Sequence, residues 1–482
     1  MFIKNIQIKN FRCFSDQTIN FNTPDNSNLG SGLNILIGDN GNGKTSVLEA
    51  LELLTQSRLK TKGTLSVFDF KNINDEITIV AETDHEFEVK RLYGSSKFKA
   101  NGFTFWAKTR SQNSNDLVDP FVFDNVVNQS CATKIQEVEV RLEVQTPYGG
   151  RFPKFQLVFF DKRRARHISK GTYPAKFDEI IDDLNFQIVK AINSLDESDP
   201  IQKEKKENLL GINKNAKDVV NSVLTDKLLE RILDGCKDFF EDEISLDLLN
   251  KLEPFANAYF SISKRDSVHQ LPISSLGSGI EMIFSIIFLY KYYSRKEEPL
   301  ILLIDEPEMH LHPTWQHKLV DLLMTISKDN QVFISTHSPY IFKNCINKNT
   351  NLLIFNRENE EVQISYANSK SWGKFPWSPS WGEINYFAYN LVTIEFLNEL
   401  YGYFQEKNNT FPEKDVEDLL ENKGIPKNKS YTKVKPDGTT ITYNVTLCTY
   451  VRHQIHHPEN SNNIKYTEQE LRTSIENLLS NL

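Results

Sequence analysis

The chain has 482 residues, of which 39% are hydrophobic and 25% charged, so it is long enough for roughly two or three lobes with ordinary cores. Its net charge of −8 argues against a surface that is basic everywhere, and binding to nucleic acid would therefore need a local basic strip. No apolar run approaches the roughly 20 residues of a membrane span. The five cysteines are widely separated, as expected for buried thiols in a reducing cytoplasm.

The N-terminal part of the chain is predicted to be rich in strands. Residues 2–9 and 17–22 alternate between polar and apolar types, and residues 33–37 form a short apolar strand that ends in a glycine-rich loop. A helix is predicted from Thr45 to Thr55, because its apolar residues lie on one face. Strand patterns then dominate the segment from about 64 to 160.

Helical periodicity begins near residue 174 and continues to about 256, interrupted by a charged segment, ESDPIQKEKKEN. A second glycine-rich loop leads into a predicted helix at 280–293, a strand at 300–304, a helix at 314–327 and a strand at 331–335. This alternation predicts an α/β fold with a parallel, doubly wound sheet. Helical patterns at 383–405, 413–421 and 467–480 predict a mainly helical C-terminal region.

The first glycine-rich loop has the spacing of a phosphate-binding loop. Residues 38–45, GDNGNGKT, match G-x-x-x-x-G-K-[S/T] between a predicted strand and a predicted helix, a context that disfavours a turn with an incidental lysine. The glycines allow backbone N–H groups to surround the phosphates of ATP, and Lys44 is predicted to reach the β and γ phosphates while Thr45 binds Mg²⁺. The residues predicted to contact the nucleotide here are Gly38, Asp39, Asn40, Gly41, Asn42, Gly43, Lys44, Thr45 and Ser46.

Two acidic residues follow the apolar strand LILLI. Buried acids need charge compensation, which Mg²⁺ supplies. We predict that Asp305 holds the ion through its water shell and that Glu306 orients the attacking water. His337 ends the next predicted strand, in FISTHSP, where it can contact the γ-phosphate. A single histidine is usually a structural residue, but its place on the strand after the acids favours a catalytic role.

The second glycine-rich loop, SSLGSG at residues 274–279, opens the helix predicted from residue 280. Its glycines and hydroxyls expose helix N–H groups, which form a second site for anions. Glycine-serine turns are common, but the position of this one shortly before Asp305 favours a functional role.

In this order, the motifs resemble the RecF/OLD-type branch of the ABC ATPases: the phosphate-binding loop, a long insertion, the LGSG signature, LLIDEPE, HLHP and STHSP. The resemblance implies an ABC-type head formed by residues 1–169 and 256–360, a helical lobe inserted at 170–255, and a C-terminal region at 361–482. It also implies head-to-tail pairing of two chains, in which Ser278 and Gly279 of one chain cap the γ-phosphate on the other. The family signature begins with Leu-Ser, so either Ser275 or Ser278 makes this contact. The turn at Asn10-Phe11-Arg12 is implied to lie near the nucleotide.

Two features that the chain lacks exclude particular classes of related ATPase. The insertion lacks the long heptad array of an SMC-type arm, and the segment after STHSP lacks the acidic set of the TOPRIM domain that an OLD-type nuclease carries. The remaining architecture resembles the ATPases of Septu anti-phage systems, which are associated with a separate HNH nuclease. This implies a homo-oligomeric regulatory ATPase that controls a partner nuclease. The alternatives are a self-contained ATP-gated HEPN-like ribonuclease and a DNA repair or recombination ATPase.

Three other patterns leave several interpretations open. Arg452 and His457 resemble the RxxxxH pair of HEPN ribonucleases, which implies ATP-gated RNA cleavage, although a capped helix end or a partner-docking surface accounts for the same residues. The basic run at 162–167 can bind nucleic acid through its arginines, or it is a solvated loop or part of the nucleotide site. The two histidines of HLHP have the spacing of metal ligands, but the sequence shows no third ligand to accompany them. The residues concerned in these last two patterns are Arg163, Arg164, Arg166, His310 and His312.

Overall fold

A computed structural model describes most of the chain in two units. The described residues are 1–54, 65, 67–90, 97–110, 137–144, 156–160, 175–210, 220–221, 227–241, 244–246, 260–262, 271–272, 278–294, 299–309, 311–346, 348–359, 361–367 and 373–482. The larger unit holds Met1–Leu36 and Asn40–Tyr366, and the smaller one holds Ile37–Asp39 and Ala367–Leu482. No helix in these ranges is both long enough and apolar enough to cross a membrane.

An antiparallel sheet of five strands lies in the larger unit, in the order β2-β1-β4-β5-β6. Its strands are β1 (Ile3–Phe11), β2 (Phe14–Asn20), β4 (Ile77–Lys90), β5 (Lys97–Arg110) and β6 (Glu137–Val144). β1 alternates between buried and partly exposed residues, with Ile6 and Ile8 in the core, as expected for a strand with one face against the interior.

A second sheet has six strands in the order β14-β13-β3-β12-β11-β7. These are β3 (Leu33–Gly38), β7 (Gln156–Phe160), β11 (Leu300–Asp305), β12 (Gln331–Thr336), β13 (Asn351–Glu358) and β14 (Glu361–Ala367). β11 runs parallel to both β7 and β12. β3, β11 and β12 are buried along their whole length, which explains their continuous apolar sequences. The predicted α/β class is confirmed.

Seven α-helices are described in the larger unit. They are α1 (Lys44–Leu53), α2 (Ala175–Asn193), α3 (Pro200–Leu210), α4 (Leu228–Phe240), α5 (Ser278–Ser294), α6 (Pro313–Ile326) and α7 (Pro339–Cys345). α4 and α5 approach closely at Gly235, where an added Cβ would lie 2.9 Å from Cγ2 of Ile287. Three short strands, β8 (Ile244–Leu246), β9 (Phe260–Ile262) and β10 (Leu271–Pro272), form a small antiparallel sheet. The segment with predicted helical periodicity up to about residue 256 therefore also contains one short strand, β8.

The smaller unit has a helical core and a hairpin. Its helices are α8 (Ile394–Lys407), α9 (Glu413–Asn422), α10 (Leu447–His456) and α11 (Glu468–Leu479), preceded by a short turn at Trp381–Glu383 and a π-helical turn at Ile384–Ala388. Strands β15 (Lys429–Val434) and β16 (Thr440–Val445) pair in an antiparallel hairpin. Lys435 closes the turn by hydrogen bonding with Thr439 and Gly438, and Gly438 adopts a φ of 82°, which suits glycine at this position. The C-terminal region is thus mainly helical, as predicted, with one hairpin in addition.

Candidate nucleotide site

The predicted phosphate-binding loop joins β3 to α1. Gly41 and Gly43 adopt positive φ angles of 79° and 90°, a region that glycine enters without steric cost. Gly43 is the N-cap of α1 and has no side chain to cap the helix, and the first turn contains no acidic residue. Such a helix end, with backbone donors and positive partial charge, suits the phosphates of a nucleotide.

Two neighbouring segments hold this loop in place. A Cβ added to Gly43 would lie 2.6 Å from Sγ of Cys13 and 2.8 Å from Cζ of Phe14, so only glycine fits against the β1–β2 turn. On the other side, the Asn42 side chain donates a hydrogen bond of 2.9 Å to the carbonyl oxygen of Phe355 on β13. The loop therefore contacts both the five-stranded and the six-stranded sheet.

Thr45 and Asp305 meet although they lie 260 positions apart in the chain. The Thr45 hydroxyl is 3.0 Å from Oδ1 and 3.1 Å from Oδ2 of Asp305, which is fully buried. Oδ1 also accepts a hydrogen bond from the Ser335 hydroxyl on the adjacent strand β12. A carboxylate and a hydroxyl oxygen side by side fit a Mg²⁺ ion, which takes hard oxygen ligands and completes its shell with water and phosphate oxygens.

Glu306 and His337 lie next to this pair. Glu306 has a φ of 50°, a left-handed conformation that is strained for a non-glycine residue, and its N–H donates to the Ser335 carbonyl oxygen at 3.0 Å. Nε2 of His337 lies 3.9 Å from Oε1 of Glu306. Lys44, also predicted to act here, is buried at the start of α1.

The turn after β1 brings Arg12 close to the same helix. Arg12, with a φ of 51°, forms ion pairs with Glu49 on α1 and with Asp69, the latter with an Nε–Oδ1 distance of 2.8 Å. Burial raises the pKa of Glu49, the Arg12 charge opposes that rise, and the nearby Asp305 adds to it. Sequence reasoning gave no role to Glu49, Asp69 or Ser335, because their partners are distant in the chain.

Several predicted residues fall elsewhere. Ser278 and Gly279 form the start of α5, and Gly279 is buried, whereas Ser275, His310 and the arginines Arg163, Arg164 and Arg166 lie outside the described residues. His312 is the N-cap of α6 and accepts a hydrogen bond from the backbone N–H of Thr314. Within the described ranges, no group of three or more His, Cys, Asp or Glu side chains could hold a metal ion.

In the smaller unit, Arg452 lies within α10 and His457 is the C-cap of the same helix. The Arg452 guanidinium packs over the ring of Tyr401, 4.5 Å from its centroid, a cation–π contact with a largely buried tyrosine. His457 is exposed and lies 3.3 Å from Glu459. Arg452 thus packs against the helical core of the smaller unit, and the interpretation of Arg452 and His457 as an RNase pair stays a prediction.

Comparison with known proteins shows which family the first 342 residues match. The AAA ATPase domain family matches residues 1–342, a stretch that holds the phosphate-binding loop, the acidic pair and His337. Among solved structures, an Smc head bound to the winged-helix domain of ScpA aligns with a TM-score of 0.43 and 12% identity, covering 77% of this chain and 98% of that one.

Curated relatives agree with the predicted resemblance to RecF/OLD-type ATPases. The OLD nuclease of Thermus scotoductus is 24% identical over 381 residues, covering 76% of this chain and 64% of its own length. Endonuclease GajA of Bacillus cereus is 26% identical over 361 residues, covering 70% of this chain and 56% of its own length. The chain therefore spans less than two thirds of either protein. The Septu protein PtuA of Bacillus thuringiensis is 44% identical, but over 41 residues that make up 8% of this chain and 10% of that protein.

Proposed function

Because the chain belongs to the AAA ATPase domain family, we propose that its ATPase serves as a regulatory switch in an anti-phage defence complex. In this proposal, a separate HNH-type nuclease cuts nucleic acid, and the nucleotide state of this chain restrains or releases it. The retron Ec83 probable ATPase of Escherichia coli, 24% identical over 396 residues, and the Septu protein PtuA are the relatives that support this setting.

One observation carries the catalytic part of the proposal: the contact between Thr45 and Asp305. It joins the phosphate-binding loop to the acidic pair, so that a triphosphate on α1 lies beside Glu306. Thr45 and Asp305 would hold Mg²⁺, which when bound neutralises charge on the β and γ phosphates. Lys44 binds the same phosphates.

Glu306 and His337 are proposed to act on the attacking water. The carboxylate of Glu306 accepts a hydrogen bond from water and orients the water towards the γ-phosphate. The His337 imidazole lies next to this carboxylate, where it can contact the γ-phosphate. Ser278 and Gly279 of a second chain would close the site from the opposite side, through the helix N-terminus that they begin. The enzyme is therefore proposed to work as a head-to-tail homo-oligomer.

Replacing the two key side chains tests the catalytic roles. We expect Glu306→Gln to bind ATP and Mg²⁺ normally while its turnover falls by about a hundredfold or more, because the amide orients water poorly. Lys44→Ala is expected to lose ATP affinity itself. Equilibrium binding of a fluorescent ATP analogue and phosphate release measure the two effects, with the surface variant Lys348→Ala as the control. Normal turnover in Glu306→Gln would refute the role given to Glu306.

The regulatory part is tested by the nuclease partner. When this chain is purified together with the proposed partner, an HNH-type nuclease, we expect Glu306→Gln to keep ATP bound and so to change DNA cleavage relative to wild type. Cleavage by the complex is compared with ATP, with ADP and without nucleotide. Equal cleavage in all conditions, or failure of the two proteins to copurify, contradicts regulation while leaving the ATPase assignment intact.

A further inference from the structure

The loops that follow β11 and β12 are joined by a set of hydrogen bonds. Ser335 on β12 bonds to the Asp305 carboxylate and to the backbone N–H of Glu306. One step further out, Oε1 of Glu308 accepts a hydrogen bond of 2.7 Å from the backbone N–H of His337. The acidic pair and the histidine are thereby joined through Glu308, the last residue of LLIDEPE, to which the sequence analysis gave no role.

The Glu308 carboxyl group is shielded from solvent at its Oε2 atom. Burial raises the pKa of this group, and hydrogen bonds from the backbone N–H of His337 and from the side chain of Thr336 oppose that rise. Taking a polar group out of water is unfavourable unless hydrogen bonds replace those it made with water, so the bond from His337 helps to hold Glu308 in this place.

The contact fixes the residue that carries the predicted catalytic imidazole. The direction of the His337 side chain depends on the orientation of its own peptide group, and Glu308 holds that group through its N–H. Glu306 lies two positions before Glu308 in the loop after β11, and its Oε1 atom is 3.9 Å from Nε2 of the His337 imidazole. One short segment therefore sets both the position of the Glu306 carboxylate and that of the His337 ring.

We propose that Glu308 is a positioning residue for ATP hydrolysis, which holds His337 beside Glu306 by accepting its backbone N–H. This inference rests on the proposed roles of Glu306 and His337. Glu308 acts through the peptide group of His337, and no contact between Glu308 and the nucleotide is required.

A second connection between the loops is expected to preserve the fold when Glu308 is changed. Oε1 of Gln316 accepts a hydrogen bond of 2.6 Å from the Ser338 hydroxyl, and its Nε2 donates to the carbonyl oxygen of Leu311 at 3.3 Å. Ser338 also caps α7. Loss of the Glu308 contact therefore frees the peptide group of His337 without releasing the whole segment.

The test compares Glu308→Ala with Glu308→Gln in the full chain. We expect the kcat of Glu308→Ala to fall by about 10- to 100-fold, as for other small misplacements of catalytic groups, while KM for ATP changes by less than about threefold. Glu308→Gln should recover most of the wild-type kcat, because its amide oxygen accepts the same N–H. Equal losses in both variants would overturn the positioning role.

Combination with His337→Ala separates positioning from general destabilisation. If Glu308 acts through His337, the double variant should have the kcat of His337→Ala alone, since the two changes remove one function. The matched control is Glu417→Ala, which removes another buried carboxylate that accepts a backbone N–H, from Thr446 at 2.7 Å. It should lower the melting temperature and leave kcat unchanged.

The outcomes distinguish a failure of the role proposed for Glu308 from a failure of the role proposed for His337. Wild-type kcat in Glu308→Ala, or additive losses in the double variant, would overturn the positioning role while His337→Ala remains impaired. Wild-type kcat in His337→Ala would instead refute the proposed role of His337, and the inference about Glu308 with it.

Discussion

At the scale of single residues, the phosphate-binding loop shows two different demands for glycine. Gly41 and Gly43 both adopt positive φ angles. Around Gly41 there is nothing within 4 Å of an added Cβ, whereas Gly43 faces Cys13 and Phe14 at 2.6 and 2.8 Å. An alanine at position 41 would therefore meet only backbone strain, whereas an alanine at position 43 would meet backbone strain and a steric clash.

This difference gives a prediction for alanine substitutions. We expect Gly41→Ala to cost about 1 kcal/mol, the usual penalty for a left-handed alanine, and to retain much of the ATP affinity. Gly43→Ala should lower both thermal stability and ATP affinity more strongly, because the loop must move away from the β1–β2 turn. Thermal melting and nucleotide titration measure both effects, and equal behaviour of the two variants would contradict the packing argument.

At the scale of elements, most predicted helices and strands of the larger unit are observed within a few residues of their expected ends. The predicted helix at 280–293 is α5 (Ser278–Ser294), and the predicted strand at 331–335 is β12 (Gln331–Thr336). Long apolar runs and periodicity of 3.6 residues determine such elements largely by themselves.

The helix predicted at 383–405 is instead divided into two parts. Asn390 adopts a φ of 52°, and the side chain of Thr393 accepts a hydrogen bond from Phe396 and so begins α8 as its N-cap. A left-handed residue followed by a new cap ends one helix and starts another. The apolar residues before and after this break share one helical period, which hides it from a periodicity analysis.

The last helix gives a prediction at this scale. In α11, Thr467 and Glu470 form a capping box, in which each side chain bonds to the backbone N–H of the other residue. We expect Thr467→Ala to lower the free energy of unfolding by about 1 kcal/mol. Chemical denaturation measures this change, and an unchanged midpoint would refute the contribution of the cap.

Glu470 adds a pH dependence. A hydrogen bond from Lys429 and then the N–H of Thr467 hold its pKa below the ordinary value of 4.5. The carboxylate therefore stabilises the fold above pH 4.5, and this contribution is lost as the pH falls through the lowered pKa. We expect Glu470→Gln to be less stable than wild type at pH 7 and the difference to shrink in acid, with Glu468→Gln as the control.

At the scale of the whole molecule, the order of strands brings the site together. β3, β12 and β11 are neighbours in one sheet, so the ends of strands from the first and last parts of the larger unit lie side by side. The site takes Thr45 from the N-terminal part and Asp305 from a strand 260 positions later, with helices α2 to α5 between them in the chain.

Mixing two inactive variants tests the proposed head-to-tail assembly. Lys44→Ala inactivates the phosphate-binding loop, and Ser278→Arg blocks the helix end proposed to reach across to a second chain. In a mixed dimer one of the two sites combines the intact halves, so an equal mixture should recover about a quarter of the wild-type ATPase rate if dimers form at random. Recovery of no activity, with mixed dimers verified by differential tags, would contradict a shared site.

The sequence by itself determined the class of fold, the phosphate-binding loop and the acidic pair, because these depend on local spacing and on apolar runs that any packing must bury. It also predicted that His337 follows its strand. These features need no knowledge of distant partners.

The tertiary structure decided which distant residues meet. The contact of Thr45 with Asp305, the support of Gly43 by Cys13, the anchoring of Asn42 at Phe355, and the bond from His337 to Glu308 all join residues far apart in the chain. Such contacts follow from the order of strands in the sheet, which local propensity does not specify. For the same reason Glu308, whose role depends on a backbone group 29 positions away, could be recognised as a positioning residue only in the folded molecule.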